Sequence, residues 1–184
     1  ILGGIFAKSA LFIINKFMFG DAKKTIALAI AMGSVVATLN YISGTQIAGT
    51  GSKETIMIIS GERLGIEFIV YKYIATLASF LSTIAGGLFM PSISIGAGIG
   101  AEISQMYSQI TPQVVLIMAM VAYLSGVIRT PLTSAFLVLE MTNSLNLLLP
   151  AIIISLISSM SSKQISKQPI YESIAQSYLK LTRN

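Results

Sequence analysis

The chain has 184 residues, of which 54% are hydrophobic and 10% are charged, and its net charge is +5. Soluble domains typically contain about 25% charged residues. This composition, with a mean hydropathy of +0.80, therefore indicates an integral membrane protein. The sequence contains no histidine and no cysteine, which excludes Ser-His and Cys-His catalysis and histidine metal sites. We therefore predict that the chain is not an enzyme.

Four segments contain no charged residue, and each is long enough to cross a bilayer, which takes about 20 residues. These segments are residues 25–52, 73–101, 103–128 and 141–162. The lysines and arginines lie near segment ends. This distribution is typical of charges that set the orientation of a membrane protein, and not of nucleic-acid binding. The sequence predicts a multi-pass protein, and we interpret residues 1–184 as a single domain.

The first predicted helix covers residues 1–19, and a second is expected over residues 25–42. Lys23 and Lys24 lie in the polar stretch between them, which indicates the cytoplasmic side unless it is a simple lysine-rich turn. The chain begins with Ile1, directly in a hydrophobic run and without a signal-peptide pattern. We therefore expect it to be a fragment of a longer protein.

A flexible loop follows at residues 49–51, where two glycines around a hydroxyl could line a site but more simply form a turn. Residues 55–60 are too short to cross a membrane. A long helix is predicted over residues 68–84, and we interpret Glu67 and Lys72 as lying in polar surroundings near its start.

The rest of the chain is organised around the stretch from Ala85 to Pro91. Gly86 and Gly87 permit a sharp turn, and proline is favoured at a helix start because its missing N–H would have no partner there. A helix is therefore predicted to begin at about Met90 or Pro91. The unpaired N–H groups and the helix dipole attract anions at such an end without a basic side chain. Taken alone, the stretch is more simply a glycine-rich turn before a packing helix.

Small residues alternate with larger apolar ones in the ten residues that follow. An open strand is excluded, because it could not satisfy its backbone in lipid. In a helix, Ser92, Gly96 and Gly100 lie on one face with the spacing that lets a second helix approach closely. A long helix, a break inside the apolar zone and a new helix are typical of discontinuous transmembrane helices at transport sites.

Prolines also mark the next helix starts. A turn at Pro112 predicts a helix over residues 113–128, which ends at Arg129. Residues 132–141 are predicted to form a short helix that crosses half of a bilayer or less. Glu140, at its end, is the acidic residue nearest to an apolar interior, so it is either a functional carboxylate or, equally, a capping or interfacial residue.

Residues 145–160 are predicted to form a helix with Pro150 in its first turns and a serine-rich, close-packing second half. The last segment starts near Pro169 and predicts an amphipathic helix. Its apolar stripe is Ile170, Tyr171, Ile174, Tyr178 and Leu181, and its polar face is Glu172, Ser173, Gln176, Lys180 and Arg183. Taken alone, Tyr171 is most simply a packing residue.

Several spaced motifs resemble those of the CLC family of chloride channels and chloride/proton antiporters. The sequence GLFMP at residues 87–91 resembles the Gly-x-Phe-x-Pro element of that family. The next family block is similar to IRTPLT at residues 128–133 and LVLEMT at residues 137–142. The sequence PIY at residues 169–171 then opens the last helix in the expected order. The resemblance covers nearly the whole chain and is to the C-terminal half of a CLC membrane domain.

The resemblance implies an all-α bundle of tilted, partly discontinuous transmembrane helices, the second half of an inverted-repeat fold. It implies that the central anion is bound by the backbone N–H groups of Leu88 and Phe89 and by the side-chain hydroxyl of Tyr171. The supporting loop residues would be Gly86, Gly87 and Pro91. The transported ion would be chloride, with no cofactor and no metal. The absence of a lysine from such a site suits transport, because a full positive charge would hold the ion too tightly.

The resemblance further implies a missing N-terminal half of the same protein, which would carry a serine loop, a gating glutamate and the antiporters' proton-accepting glutamate. Residues 49–51 could be the pseudo-symmetric partner of that serine loop, although they lack its proline. We expect a homodimer with one pore per subunit, joined through residues 1–19, 132–141 and 145–162, in the plasma or inner membrane of a bacterium. The alternative function is a membrane scaffold, a degenerate half-domain without transport. The sequence does not separate a channel from an antiporter, or chloride from a similar anion.

Overall fold

The computed structural model describes residues 1–17, 22–44, 46–82, 86–107 and 109–181. Within these residues the regular structure is entirely helical, so the all-α prediction is confirmed. A short 3₁₀ turn at Leu145–Leu147 precedes the eighth α-helix. The helices are α1 (Leu2–Phe17), α2 (Ala22–Ile42), α3 (Ser52–Ile59), α4 (Gly65–Leu81), α5 (Phe89–Met106), α6 (Pro112–Ile128), α7 (Pro131–Met141), α8 (Leu148–Ile165) and α9 (Ile170–Leu181).

Prolines explain two of the helix boundaries that the sequence predicts. Pro112 and Pro131 each occupy the first turn of their helix, where the missing N–H breaks no intrahelical bond. The predicted helices over residues 113–128 and 132–141 are therefore confirmed within one residue at each end. The helix predicted over residues 145–160 continues to Ile165, so the serine-rich end of α8 is also helical.

The centre of the bundle is the pair formed by α5 and α6. A Cβ atom on Gly96 would lie 2.6 Å from the Cα atom of Met120, and one on Gly100 would lie 2.7 Å from the Cα atom of Leu116. The two helices are therefore antiparallel, and their backbones touch through the glycine face of α5. This contact confirms the predicted small-residue face.

Serine hydroxyls join α8 to α6. Ser158 Oγ donates to the backbone oxygen of Ala122, and Ser162 Oγ donates to the backbone oxygen of Gly126 at 2.6 Å. Both pairs have the same offset along the chain, so the two helices run parallel. The serines replace larger apolar side chains and let the helices approach closely, as predicted for this half of α8.

Two helices in the described part of the chain are long and apolar enough to cross a bilayer, over Thr25–Ile42 and Leu145–Ile165. None of the first span is buried, and the apolar side chains of Ile26 and Ile30 face outward. Apolar side chains on the outer surface are what contact with lipid requires.

The predicted break between two helices inside the apolar zone is also present. The helix α4 ends at Leu81 and α5 begins at Phe89. The start of α5 is one or two residues earlier than predicted, within the usual variation of helix ends. Ala85 lies outside the described residues, so the stretch that the sequence singled out is described from Gly86 onward.

One sequence interpretation of the last helix is wrong. Ser173, predicted on the polar face of α9, is 7% exposed, whereas Tyr171, predicted on the apolar stripe, is 43% exposed. Ser173 can be buried because its hydroxyl donates to the side-chain oxygen of Gln168 at 3.0 Å. The buried face of α9 is therefore centred on Ile170 and Ser173. The side chains of Tyr178, Lys180 and Leu181, and all of Arg183, lie outside the described part of the chain.

Candidate functional site

The site begins at the first turn of α5. The backbone N–H of Ser92 donates to the oxygen of Leu88 at 3.1 Å, and this is the first hydrogen bond of the helix. The N–H groups of Leu88, Phe89 and Met90 therefore have no partner within α5. Pro91 occupies the third helical position, where it loses no intrahelical bond.

The glycines before this turn leave space around it. A Cβ atom on Gly87 would meet nothing within 4 Å, and Gly87 does not have the left-handed backbone conformation that favours glycine. The bend of the chain at Leu88 therefore does not require a left-handed conformation at Gly87. The missing side chains of Gly86 and Gly87 instead keep the end of α5 accessible, because both residues are exposed.

Tyr171 reaches the same turn from the first turn of α9. Its ring stacks on that of Phe89, with centroids 6.5 Å apart and an angle of 21° between the ring planes. Its hydroxyl is close enough to the backbone of Leu88 to interact with it electrostatically. The structure thus brings together all three residues that the sequence predicts as ligands. Leu88 is buried beneath them, which anchors the turn to the core.

A cavity of about 600 Å³ opens at this turn, between α2 and α4. This volume is within the usual range for small-ligand sites. Gly86, Gly87, Leu88 and Pro91 form one wall, and the loop at residues 47–50 forms another. Tyr171 is not among the described residues that line the cavity.

Lys72 also lines this cavity, and its burial corrects the interpretation that it lies near a polar helix start. It is 1% exposed, on the inner face of α4. Its ammonium donates to the backbone oxygens of Ile47 at 2.9 Å and of Gly49 at 3.0 Å. The carboxylate of Glu54, which is 8% exposed, supplies a nearby opposite charge. The signal was present in the sequence, because Phe68 and Thr76 lie four residues to either side of Lys72.

The glycine loop before α3 packs directly on this lysine and on α5. Gly51 has a φ of 85°, and a Cβ atom there would lie 2.5 Å from Ser94 Oγ and 2.9 Å from Lys72 Cε. Gly49 and Thr50 line the cavity, and the hydroxyl of Thr50 lies 2.7 Å from that of Ser52. The sequence left open whether this loop lines a site or only forms a turn, and in the structure it forms part of the cavity wall.

Glu140, the other acidic residue that the sequence singled out, is exposed at the end of α7. Its backbone oxygen accepts a hydrogen bond from the N–H of Asn143, which has a φ of 48°. This position fits the capping or interfacial interpretation, and the residue is not part of the cavity wall.

A family model described as voltage gated chloride channel matches residues 1–163 of the chain. The matched range includes the start of α5 and Lys72, whereas Tyr171 lies beyond its end.

Proposed function

The chain belongs to the voltage-gated chloride channel family, and from this we propose that the start of α5 binds the transported anion. Members of this family are membrane-embedded channels or transporters and not enzymes. The ligands in our proposal are the backbone N–H groups of Leu88 and Phe89 and the hydroxyl of Tyr171. Gly86, Gly87 and Pro91 support them by keeping the turn open and by starting the helix without a lost hydrogen bond.

The observation that carries this proposal is the stacking of the Tyr171 ring on that of Phe89, with the Tyr171 hydroxyl close to the backbone of Leu88. This contact supports the proposal because it brings a side-chain hydroxyl near the N–H groups that have no partner within α5. An anion that entered between them would accept hydrogen bonds from both sides, after the hydroxyl had turned to donate. The partial positive charge at the helix start would add to the attraction.

The buried ammonium of Lys72 is not a ligand in this proposal. The ammonium donates two hydrogen bonds, to the backbone oxygens of Ile47 and Gly49, and the nearby carboxylate of Glu54 offsets its positive charge. The cation therefore stabilises the cavity wall and leaves anion binding to the helix start and the tyrosine. Dipoles bind an ion more weakly than an unpaired charge, which suits a site that must release it.

We further propose that the chain works with a second half of the same protein and as a homodimer. Large apolar side chains on α7 and α8 are exposed, including Phe136 at 48% and Leu149 at 71%. A dimer surface across α7 and α8 would cover these side chains. Helices of two subunits can pack against each other more tightly than they pack against lipid. The first helix, also expected at this surface, has buried residues along its inner side and exposes Phe12.

The test of transport is chloride efflux from liposomes that contain the full-length protein, with proton movement recorded at the same time. We expect chloride to leave the vesicles down its gradient. Opposing proton movement would identify an antiporter, and chloride movement alone would identify a channel. If neither ion moves, while the protein is folded and inserted, the transport proposal fails and the scaffold becomes the better interpretation.

We expect Tyr171→Phe to weaken chloride binding to the full-length protein about tenfold or more, because one hydrogen bond to a charged group contributes about 1.5–3 kcal/mol. The phenylalanine keeps the ring that stacks on Phe89, so the change removes only the hydroxyl. Isothermal titration calorimetry in detergent measures the affinity. Tyr41→Phe is the matched control, because Tyr41 is 89% exposed on α2. Equal affinities for the two variants would remove Tyr171 from the site.

A further inference from the structure

Arg129 ends α6 in a backbone conformation that residues other than glycine rarely adopt. Its φ is 57° and its ψ is 36°, which places it in the left-handed region. Glycine is the usual residue at this position of a helix end, because a Cβ atom is unfavourable there. The backbone of an arginine at this position is therefore unfavourable, and the contacts of its side chain offset that cost.

Those contacts are with the end of α8 and the turn that follows it. One terminal nitrogen of the guanidinium, Nη1, donates to the backbone oxygen of Lys167 at 3.2 Å. The other, Nη2, donates to the backbone oxygen of Ser162 at 3.4 Å. The oxygen of Ser162 lies in the last turn of α8, where the helix carries partial negative charge, so a cation there is favourable. The side chain thus joins the end of α6 to the turn between α8 and α9.

This turn leads directly into the proposed ligand. Lys167 precedes Tyr171 by one helical turn of chain, and Ile170 between them is fully buried. The rest of α9 packs on α1 and α6. The direction in which α9 leaves the turn decides whether the Tyr171 hydroxyl reaches the backbone of Leu88.

We propose that Arg129 is a positioning residue of the anion site, which holds the α8–α9 turn so that the hydroxyl of Tyr171 meets the start of α5. This inference rests on the proposed anion site. Arg129 itself does not contact the anion. Its effect on binding passes through Tyr171, so the two residues are energetically coupled.

A double-mutant cycle in the full-length protein tests this coupling. Arg129→Gly removes the guanidinium and suits the left-handed backbone, so α6 keeps its end. We expect Arg129→Gly to weaken chloride binding about fivefold to tenfold in calorimetry. In a Tyr171→Phe background the same change should alter the affinity by less than about twofold, because the hydroxyl that Arg129 positions is already absent. Independent sites would instead give the product of the two single losses.

Arg129→Lys separates position from charge and serves if the glycine variant does not fold. Lysine keeps the positive charge but cannot bridge two oxygens as the guanidinium fork does. We expect it to lose affinity also, and again only while Tyr171 is present. If Arg129 acted through long-range charge, lysine would bind chloride like the native protein. Arg63→Gln is the matched control, because the Arg63 guanidinium donates to Gln105 in an exposed contact, and its affinity should not change.

Three other results overturn the inference in different ways. Losses that multiply in the double variant would show that Arg129 does not act through Tyr171, and the anion site itself would stand. Native affinity in Tyr171→Phe would remove the tyrosine from the site, and the positioning role would fail with it. Unchanged chloride affinity in both Arg129 variants, with the expected loss of affinity in Tyr171→Phe, would show that other contacts hold the turn and that Arg129 does not position the tyrosine.

Discussion

Gly96→Ala should destabilise the protein by about 3 kcal/mol or more, because the new methyl group would overpack a backbone contact. The Cβ atom would lie 2.6 Å from the Cα atom of Met120 and 3.0 Å from the backbone oxygen of Ala119. Neither atom is the end of a flexible side chain, so α5 and α6 would have to separate. Thermal unfolding of the purified protein in detergent measures the loss.

Gly33→Ala is the control for this experiment, since Gly33 also lies within a helix but has nothing within 4 Å of a Cβ atom. Alanine is favoured over glycine in a helix by about 1 kcal/mol. We therefore expect the Gly33 variant to melt at or above the native temperature. If the two variants unfold at the same temperature, the close approach of α5 and α6 is not what stabilises the bundle.

Lys72→Met should also destabilise the protein, by about 3 kcal/mol, because it leaves the backbone oxygens of Ile47 and Gly49 without their donor. Methionine fills much of the space of the lysine stem, so the cost is mainly polar. The buried oxygen of Ile47 would lose its donor, and the charge of the buried Glu54 would no longer be offset by the ammonium near it. Chemical or thermal unfolding in detergent measures the change.

Two variants make this experiment specific. Lys53→Met changes an exposed lysine on α3 next to Glu54, and we expect a change within about 0.5 kcal/mol. Adding Glu54→Gln to Lys72→Met should recover part of the lost stability, because it removes the negative charge of Glu54 that Lys72 no longer offsets. A Lys72→Met protein as stable as the Lys53 variant would show that the ammonium contributes little to the cavity wall.

Much of the fold could be predicted from the sequence, because its determinants are local. Pro112 and Pro131 set helix starts through a missing N–H, which needs no knowledge of neighbours. The spacing of Gly96 and Gly100 predicts a close helix contact for similar reasons, although it does not say which helix makes it. The exposed end of α5 followed from the position of Pro91 and the two glycines before it.

The parts of the site that could not be predicted depend on how helices are rotated against each other. Periodicity alone placed Tyr171 on the apolar stripe and Ser173 opposite, but the packing of α9 reverses their exposure. The meeting of Tyr171 with Leu88 joins segments far apart in the chain, so only the family resemblance, and no local pattern, predicted it. Lys72 was misread because a charge suggests a polar surface, whereas backbone oxygens supply its partners inside the bundle.

The order of the site's parts along the chain has a consequence for biosynthesis. The pair α5 and α6 is adjacent in sequence, so it can form a helical hairpin as soon as both helices have entered the bilayer. The tyrosine that faces the start of α5 lies on α9 and is translated after the other described helices. The proposed backbone ligands are therefore made and packed before the proposed side-chain ligand, and the proposed site is incomplete until α9 has left the ribosome.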